Sequence, residues 1–273
     1  MKLLPAFLLL LFVILFASES GGQNLHQAGS RSQALAGATV VLSDCWSVYG
    51  NQAGLAGLTR SQFGLSVYNR FLVKELSLQA GFFVLPVQSS VLALSLSQFG
   101  VNPFSQEKIG FTFARQLSPR LSAGLQFNYY RMFLPEQNRS AGSAGLELGF
   151  QYLLNDGLVA GLHVLNPYQT GIKTLTGSFN YPTLLNLGVR IHLSDSFLLI
   201  SELENELNHR LAVRAGMEYV LLEKLVLRTG ISGKPYQLAA GIGFQVKKLT
   251  IDLAGSCHQY LGSSPSVSLQ YQF

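Results

Sequence analysis

From about residue 62 onwards, the chain consists of runs of roughly ten residues in which apolar and polar side chains alternate. Strict alternation puts successive side chains on opposite faces, so each run predicts a β-strand with one apolar face. About fourteen such runs are present, each long enough for a tilted strand to cross a bilayer. The clearest are residues 121–133, 144–154, 185–193, 211–220, 238–246 and 267–273, and the fainter ones are 63–68, 76–85, 90–99, 109–116, 158–165, 197–207, 225–232 and 249–257.

The connections between these runs alternate in length. Short turns, such as the Asn-Asp-Gly at 155–157 and the segment 194–196, follow every second run, and longer segments such as 134–143 and 166–183 join the others. Outer-membrane barrels have this asymmetry, with their short turns in the periplasm. The predicted fold class is therefore all-β: a transmembrane outer-membrane β-barrel of about fourteen antiparallel strands.

The composition favours a surface that contacts lipid. The chain is 48% hydrophobic and only 12% charged, whereas an ordinary soluble domain has about 25% charged residues. Beyond its N-terminus it has no apolar run near the roughly 20 residues of a membrane helix, and a closed barrel is the other structure that satisfies its backbone in lipid. A soluble β-sandwich, the alternative, would alternate similarly but carry a more charged outer face.

The first residues predict export. Lys2 precedes a short apolar stretch, and small residues follow it, which is the pattern of a secretory signal peptide. We expect the protein in the outer membrane of a Gram-negative cell, in contact with its lipid, and this compartment excludes nucleic acid as a partner. The predicted units are a signal peptide at 1–22, an N-terminal plug segment at 23–60 and the barrel at 61–273.

The net charge of +5 has two interpretations. Basic residues in the longer loops could bind the phosphates of lipopolysaccharide, or they could simply be solvated. The residues concerned are Arg131, Arg139 and Lys173.

The final run, SVSLQYQF, ends on an aromatic residue. It resembles the last strand of bacterial outer-membrane barrels, which the barrel assembly machinery reads as a signal. By alternation its apolar members face lipid, and the strand is expected to pair with the first strand, leaving no free edge. The predicted assembly signal is Val267, Leu269, Tyr271 and Phe273.

The same alternation places polar residues in the lumen. Charges of both signs fall on neighbouring strands, so cross-strand ion pairs are expected, with Arg190 and Arg214 flanking Glu202 and Glu204. The network would fill the barrel and hold a plug; an ion path or a substrate-binding strip is the alternative. The predicted lumen residues are Glu147, His163, Arg190, His192, Glu202, Glu204, Arg214, Glu218, Arg228 and Asp252.

Catalysis is not indicated. The chain has no nucleophile elbow, zinc-type spacing or phosphate-binding loop, so we expect neither an enzyme nor a cofactor or metal site. Its two cysteines, Cys45 and Cys257, could pair in an oxidising compartment, although strand alternation points Cys257 outward.

The segment before the first strand is rich in small residues and lacks alternation. Small residues allow close backbone packing, which suits a segment folded inside a barrel, and Asn51 is placed to cap a short helical turn. A disordered leader is the alternative, but Trp46, Val48 and Leu58 argue against it.

This segment also carries a resemblance. "GSRSQALAGATVVLSD" and "YGNQAGLAGL" resemble the start of the PorV and PorQ proteins, relatives of the FadL fatty-acid channels, although Gln52 stands where that family usually has proline. The motif residues are Gly29, Arg31, Gly37, Asn51 and Gly54. The resemblance implies a fourteen-stranded barrel associated with type IX secretion, with secretion-system subunits or cargo as partners.

Two functions follow from that resemblance. The first is a non-enzymatic, partner-binding subunit of a secretion or surface-attachment system. The second is a passive channel for small hydrophobic solutes, as in FadL relatives, which use a lateral gap beside a kinked third strand. The run at 90–99 has no internal glycine or proline to mark such a kink.

Overall fold

The computed structural model describes residues 27–101, 104–134, 139–173, 178–207, 211–233 and 235–273. The predicted signal peptide lies outside these ranges, and so do the side chains of Arg139 and Lys173. No helix in the described ranges is long and apolar enough to cross a membrane.

The described chain folds into a barrel with a short segment inside it. The strands are β1 (Gln62–Asn69), β2 (Ser77–Val87), β3 (Ser90–Val101), β4 (Phe104–Ser118), β5 (Leu121–Leu134), β6 (Arg139–Asn155), β7 (Leu158–Leu165), β8 (Gly171–Lys173), β9 (Ser178–Asn180), β10 (Leu184–Ser194), β11 (Phe197–Glu206), β12 (Ala212–Leu222), β13 (Leu225–Ser232), β14 (Gln237–Val246), β15 (Leu249–His258) and β16 (Gly262–Gln272). The helical elements are α1 (Ser30–Ala34) and 3₁₀ turns at Cys45–Tyr49, Gln52–Leu55, Arg70–Leu72 and Lys74–Leu76.

Fourteen of these strands form a closed antiparallel barrel in sequence order. The exceptions are β8 and β9, which form a separate two-stranded hairpin in the connection between β7 and β10. β16 pairs with β1, from Gln62 opposite Gln272 to Tyr68 opposite Ser266. The predicted fold class and strand number are confirmed.

The two faces of the wall differ as alternation predicts. Leu65, Leu94 and Leu269 point outward and are exposed. Ser66, which follows Leu65, and Ser268, which precedes Leu269, are buried in the lumen. An apolar outer belt around a polar interior is the architecture of outer-membrane barrels, which agrees with the predicted location.

The cysteines do not pair. Cys45 is buried in the lumen, whereas Cys257 is exposed on the outer face, and both are free. The question that the sequence left open is thereby answered, since the wall separates the two thiols.

Residues 27–60, the described part of the predicted plug segment, are mostly buried inside the barrel and are called the plug below. The Asp44 carboxylate caps the first 3₁₀ turn by accepting from the amides of Trp46 and Ser47, and Asn51 caps the second by accepting from the amide of Ala53. The plug backbone passes very close to the wall, where a Cβ atom on the inward-facing glycines would meet plug atoms at less than 3 Å. These glycines are Gly124, Gly149, Gly161, Gly188, Gly216, Gly230 and Gly241.

Candidate functional site: the plugged lumen

One sector of the lumen is apolar. Inward side chains of β1 to β4 form a buried cluster with the plug residues Trp46, Val48, Tyr49 and Leu55. The wall residues of this cluster are Tyr68, Leu78, Ala80, Phe82, Val84, Val91, Ala93, Phe99 and Ala114. The apolar sector therefore lies beside the seam at which β16 meets β1.

The lumen also carries three charged groups, and the first centres on Arg214 of β12. Its Nη2 donates to Glu204 Oε1 at 2.6 Å, and Nη1 lies 3.5 Å from Glu202 Oε1. The other oxygen of Glu202 accepts from the plug amides of Thr39 at 2.6 Å and Val40 at 2.8 Å. Glu202 thus joins the wall network to the plug backbone.

A second group begins in the plug at Arg31. Its guanidinium donates to both oxygens of Glu218, at 2.6 and 2.8 Å, and to Asp44 at 2.6 Å. Burial alone would lower the pKa of Arg31, but the two carboxylates outweigh it and raise the pKa, so the residue stays charged. Arg228 extends the chain of charges, contacting Glu218 at 3.1 Å and Asp252 at 2.5 Å.

A third group surrounds Glu147 of β6. Its Oε1 accepts from Lys108 at 2.5 Å and from Asn128 at 2.8 Å, and its Oε2 accepts from the plug residue Gln52 at 2.7 Å. His163 Nε2 lies 3.1 Å from the same Oε2. Lys108 was not among the predicted lumen residues. The predicted strand began at residue 109, which left Lys108 in a loop, whereas β4 begins at Phe104 and includes Lys108 in the wall.

One predicted contact in the lumen was wrong. Arg190 does not flank Glu202: in the β10–β11 register it lies opposite Ile200, while Gly188 lies opposite Glu202. Arg190 instead donates to the plug carbonyl of Val41 at 3.0 Å. His192 lies nearer the short turn that ends β10, where it is exposed and outside the three groups.

The plug motif residues have local roles. Gly29 and Gly37 adopt positive φ, at 96° and 84°, a region that is strained for residues with a side chain. Asn51 Nδ2 donates to the carbonyls of Phe150 at 3.0 Å and Leu162 at 3.3 Å, so it ties the plug to β6 and β7. Gly54 packs against the carbonyl of Leu42, where no side chain would fit.

The lipid-facing side of the apolar sector has a recess of about 510 Å³ over β1 to β4. Gly81 lies in it without a side chain to fill the space, and the other lining residues are Leu65, Ser66, Val67, Gln79, Ala80, Leu96, Ser97, Gln98, Glu107, Lys108 and Ile109. On the lumen side, the hydroxyl of Tyr49 donates to the carbonyl of Gly81 at 2.5 Å and to that of Leu96 at 2.8 Å. Burial raises the pKa of Tyr49, so the hydroxyl stays protonated and remains a donor.

The wall itself is continuous at this recess. β3 pairs with β2 and with β4 without a register shift, so its pairing on both sides is uninterrupted. Among the described residues, no group of three or more His, Cys, Asp or Glu side chains is placed to hold a metal ion.

Solved structures share this architecture. The Ralstonia pickettii toluene transporter TbuX is similar over 92% of this chain and 99% of its own, with 14% identity and a TM-score of 0.68. The monoaromatic hydrocarbon channel CymD has the same coverage and identity with a TM-score of 0.70. A Pseudomonas aeruginosa FadL homologue is similar over 94% of this chain and 99% of its own, with 13% identity and a TM-score of 0.67.

At such low identity the likeness concerns the fold, which is that of a FadL-like fourteen-stranded barrel with an N-terminal segment before it. No protein-family profile matches the chain, and no curated protein sequence matches it.

Proposed function

We propose that this protein is a non-enzymatic, passive outer-membrane channel for small hydrophobic molecules. The observation that carries the proposal is the coincidence of the apolar lumen sector with the lipid-facing recess at Gly81. The free energy of a hydrophobic molecule falls where apolar side chains replace water around it, and the cluster along β1 to β4 is the largest apolar cluster among the described residues. The charged groups of the lumen hold the plug instead.

The proposed route crosses the wall between β2 and β3. Gly81 and Leu96 face each other there, and the only plug side chain that bonds to both carbonyls is Tyr49. Opening this part of the wall requires Tyr49 to move and the local hydrogen bonds between β2 and β3 to break, and the neighbouring inward residues Ala80 and Ser97 are small. The molecule would then leave sideways into the lipid rather than along the barrel axis.

The fold comparisons support the same proposal, since TbuX is described as a toluene transporter and CymD as a monoaromatic hydrocarbon channel. The PorV and PorQ resemblance suggested a secretion subunit as the first function. None of the three structures described above is named as a secretion component. We therefore prefer the second function suggested by the sequence, a passive channel for small hydrophobic solutes.

Uptake of radiolabelled toluene by Gram-negative cells that lack hydrocarbon channels tests the proposal. We expect cells with the protein in their outer membrane to take up toluene faster than cells without it. Equal uptake in the two strains would reject the channel.

A pair of glycine variants tests the route. Gly81→Phe adds a ring inside the recess, whereas Gly255→Phe adds the same ring at a site where a Cβ atom meets nothing within 4 Å. We expect Gly81→Phe to reduce uptake and Gly255→Phe to leave it unchanged at matched protein levels. Equal uptake by both variants would reject the lateral route while leaving the channel itself in place.

A further inference from the structure

The plug makes hydrogen bonds to the strand that closes the barrel. The indole Nε1 of Trp46 donates to Gln270 Oε1 at 2.9 Å, and the thiol of Cys45 donates to the same oxygen at 3.1 Å. Ser30 adds two more contacts, since its amide donates to Ser268 Oγ at 3.1 Å and its hydroxyl lies 2.7 Å from that of Ser266. Three successive inward residues of β16 therefore have partners in the plug.

Trp46 also reaches across β1 to the next strand. Its ring packs edge-to-face on Phe82 of β2, with centroids 4.8 Å apart. Gly64 of β1 lies directly opposite Phe82 on one side and opposite Gln270 on the other. Because Gly64 has no side chain, the Phe82 ring can lie over it, where a Cβ atom would be 2.6 Å from that ring. Trp46 then contacts strands on both sides of β1, through Phe82 and Gln270.

Between Gln62 and Ser66, the β1 side of the seam has no large apolar side chain on its inner face. The inward residues of β16 are small or polar, and, apart from Tyr68 opposite Ser266, those of β1 opposite them are similar, for example Ser66 opposite Ser268 and Gly64 opposite Gln270. Strands with polar, glycine-containing faces are weakly specified and prone to slip. A slip by one residue would turn polar side chains towards lipid, but a slip by two keeps the same residues facing outward, so the outer face discriminates poorly between registers that differ by two.

Closure also joins strands that are far apart in the chain, which carries a loop-closure entropy cost. A plug already bound to the wall would offset that cost by offering β16 fixed hydrogen-bond partners. We propose that the plug is the template on which β16 joins β1, so that the barrel closes after Trp46 has docked. This inference does not depend on the transported molecule.

The order of events in the unaltered protein gives the first test. Trp46 is the only tryptophan of the chain, so its fluorescence during refolding from urea into lipid vesicles reports plug docking. Closure is followed in parallel as the appearance of the compact, heat-modifiable form on gels. We expect the fluorescence change to precede closure or coincide with it. A closed form that accumulates before the fluorescence changes would overturn the proposal.

Variants give the second test. Trp46→Phe and Gln270→Ala each remove the Trp46–Gln270 hydrogen bond, and we expect each to slow closure by about threefold to tenfold. Because both variants remove this one shared bond, the double variant should slow closure by less than the product of the two single effects. Effects that multiply, or closure at the unaltered rate, would contradict the proposal.

Tyr49→Phe is the matched control. It removes plug hydrogen bonds of similar burial at β2 and β3, away from the seam. We expect its closure rate to stay within about twofold of the unaltered rate. Slowing equal to that of Gln270→Ala would mean that any loosening of the plug delays folding, and the specific role of Trp46 would be rejected.

Discussion

Lys108 of β4 and Glu147 of β6 form a buried ion pair across the intervening strand β5. The distance between Nζ and Oε1 is 2.5 Å, and the two side chains are 2% and 0% exposed. Amide groups of Asn128 and Gln52 donate to the same carboxylate. Such a cluster is tolerated in a lumen only when every charge is compensated, so it fixes how β4, β5, β6 and the plug lie relative to one another.

Breaking this pair should therefore cost much stability. We expect Glu147→Gln to lower the free energy of unfolding by about 3–5 kcal/mol, because it leaves the Lys108 charge stranded. Arg131→Ala is the control, since Arg131 is 54% exposed and lies 3.4 Å from Glu107, and exposed pairs contribute only about 0–1 kcal/mol. Urea unfolding in lipid vesicles measures both, and equal losses would contradict the assigned role of Glu147.

The two lumen arginines, Arg214 of β12 and Arg190 of β10, should differ in how much they stabilise the folded barrel. Arg214→Ala leaves Glu202 and Glu204 buried without their cation, so we expect a loss of about 3–5 kcal/mol. Arg190→Ala removes a bond to a plug carbonyl and exposes no partner charge, so about 0.5–1.5 kcal/mol is expected. If Arg190→Ala proved as destabilising as Arg214→Ala in the same urea experiment, Arg190 would belong to the network as the sequence first suggested.

The sequence predicted the wall better than the contacts inside it. Alternation is a local property of each strand, so it placed Glu202 and Arg214 in the lumen and Cys257 outside without knowledge of the fold. Which lumen charges meet depends on the stagger between strands, which no single strand encodes. Lys108 thus reaches Glu147 across β5. Arg190 does not reach Glu202, because it lies two residues beyond Gly188, the residue opposite Glu202, in the direction of the turn.

The sequence also did not predict which wall residues the plug would contact. Small residues indicated a segment packed in the lumen, and the Asn51 cap was predicted correctly. The wall glycines that the plug contacts lie on seven different strands. They line the path of the plug only once the barrel has folded, so the separate strand sequences do not reveal that path. The hairpin of β8 and β9 was missed because three-residue strands are too short to show alternation.

The close contact between the wall glycines and the plug can be tested by substitution. A Cβ atom at Gly230 would overlap the backbone of Leu35 in the plug, whereas one at Gly255 meets nothing within 4 Å. We expect Gly230→Val to lower the free energy of unfolding by about 1–3 kcal/mol, because the plug must shift. Gly255→Val should be close to neutral, and a similar loss for both variants would show that backbone entropy rather than the plug contact is responsible.

Phe273 offers a test that separates assembly from stability. Its amide donates to the carbonyl of Ser61 at 2.9 Å, and its ring lies 6.0 Å from that of Phe63 on the outer face. Phe63→Ala and Phe273→Ala both lose that aromatic contact, so each should weaken the barrel by about 0.5–1.5 kcal/mol in vesicles.

In cells the two variants should diverge. If the assembly machinery reads the aromatic pattern of β16, Phe273→Ala should reduce the amount of heat-modifiable protein in the outer membrane far more than Phe63→Ala. Refolding in vesicles, where no machinery is present, should show no such difference. Equal membrane levels for the two variants would falsify the role of Phe273 as a recognition element, because the ring would then act only through its contact with β1.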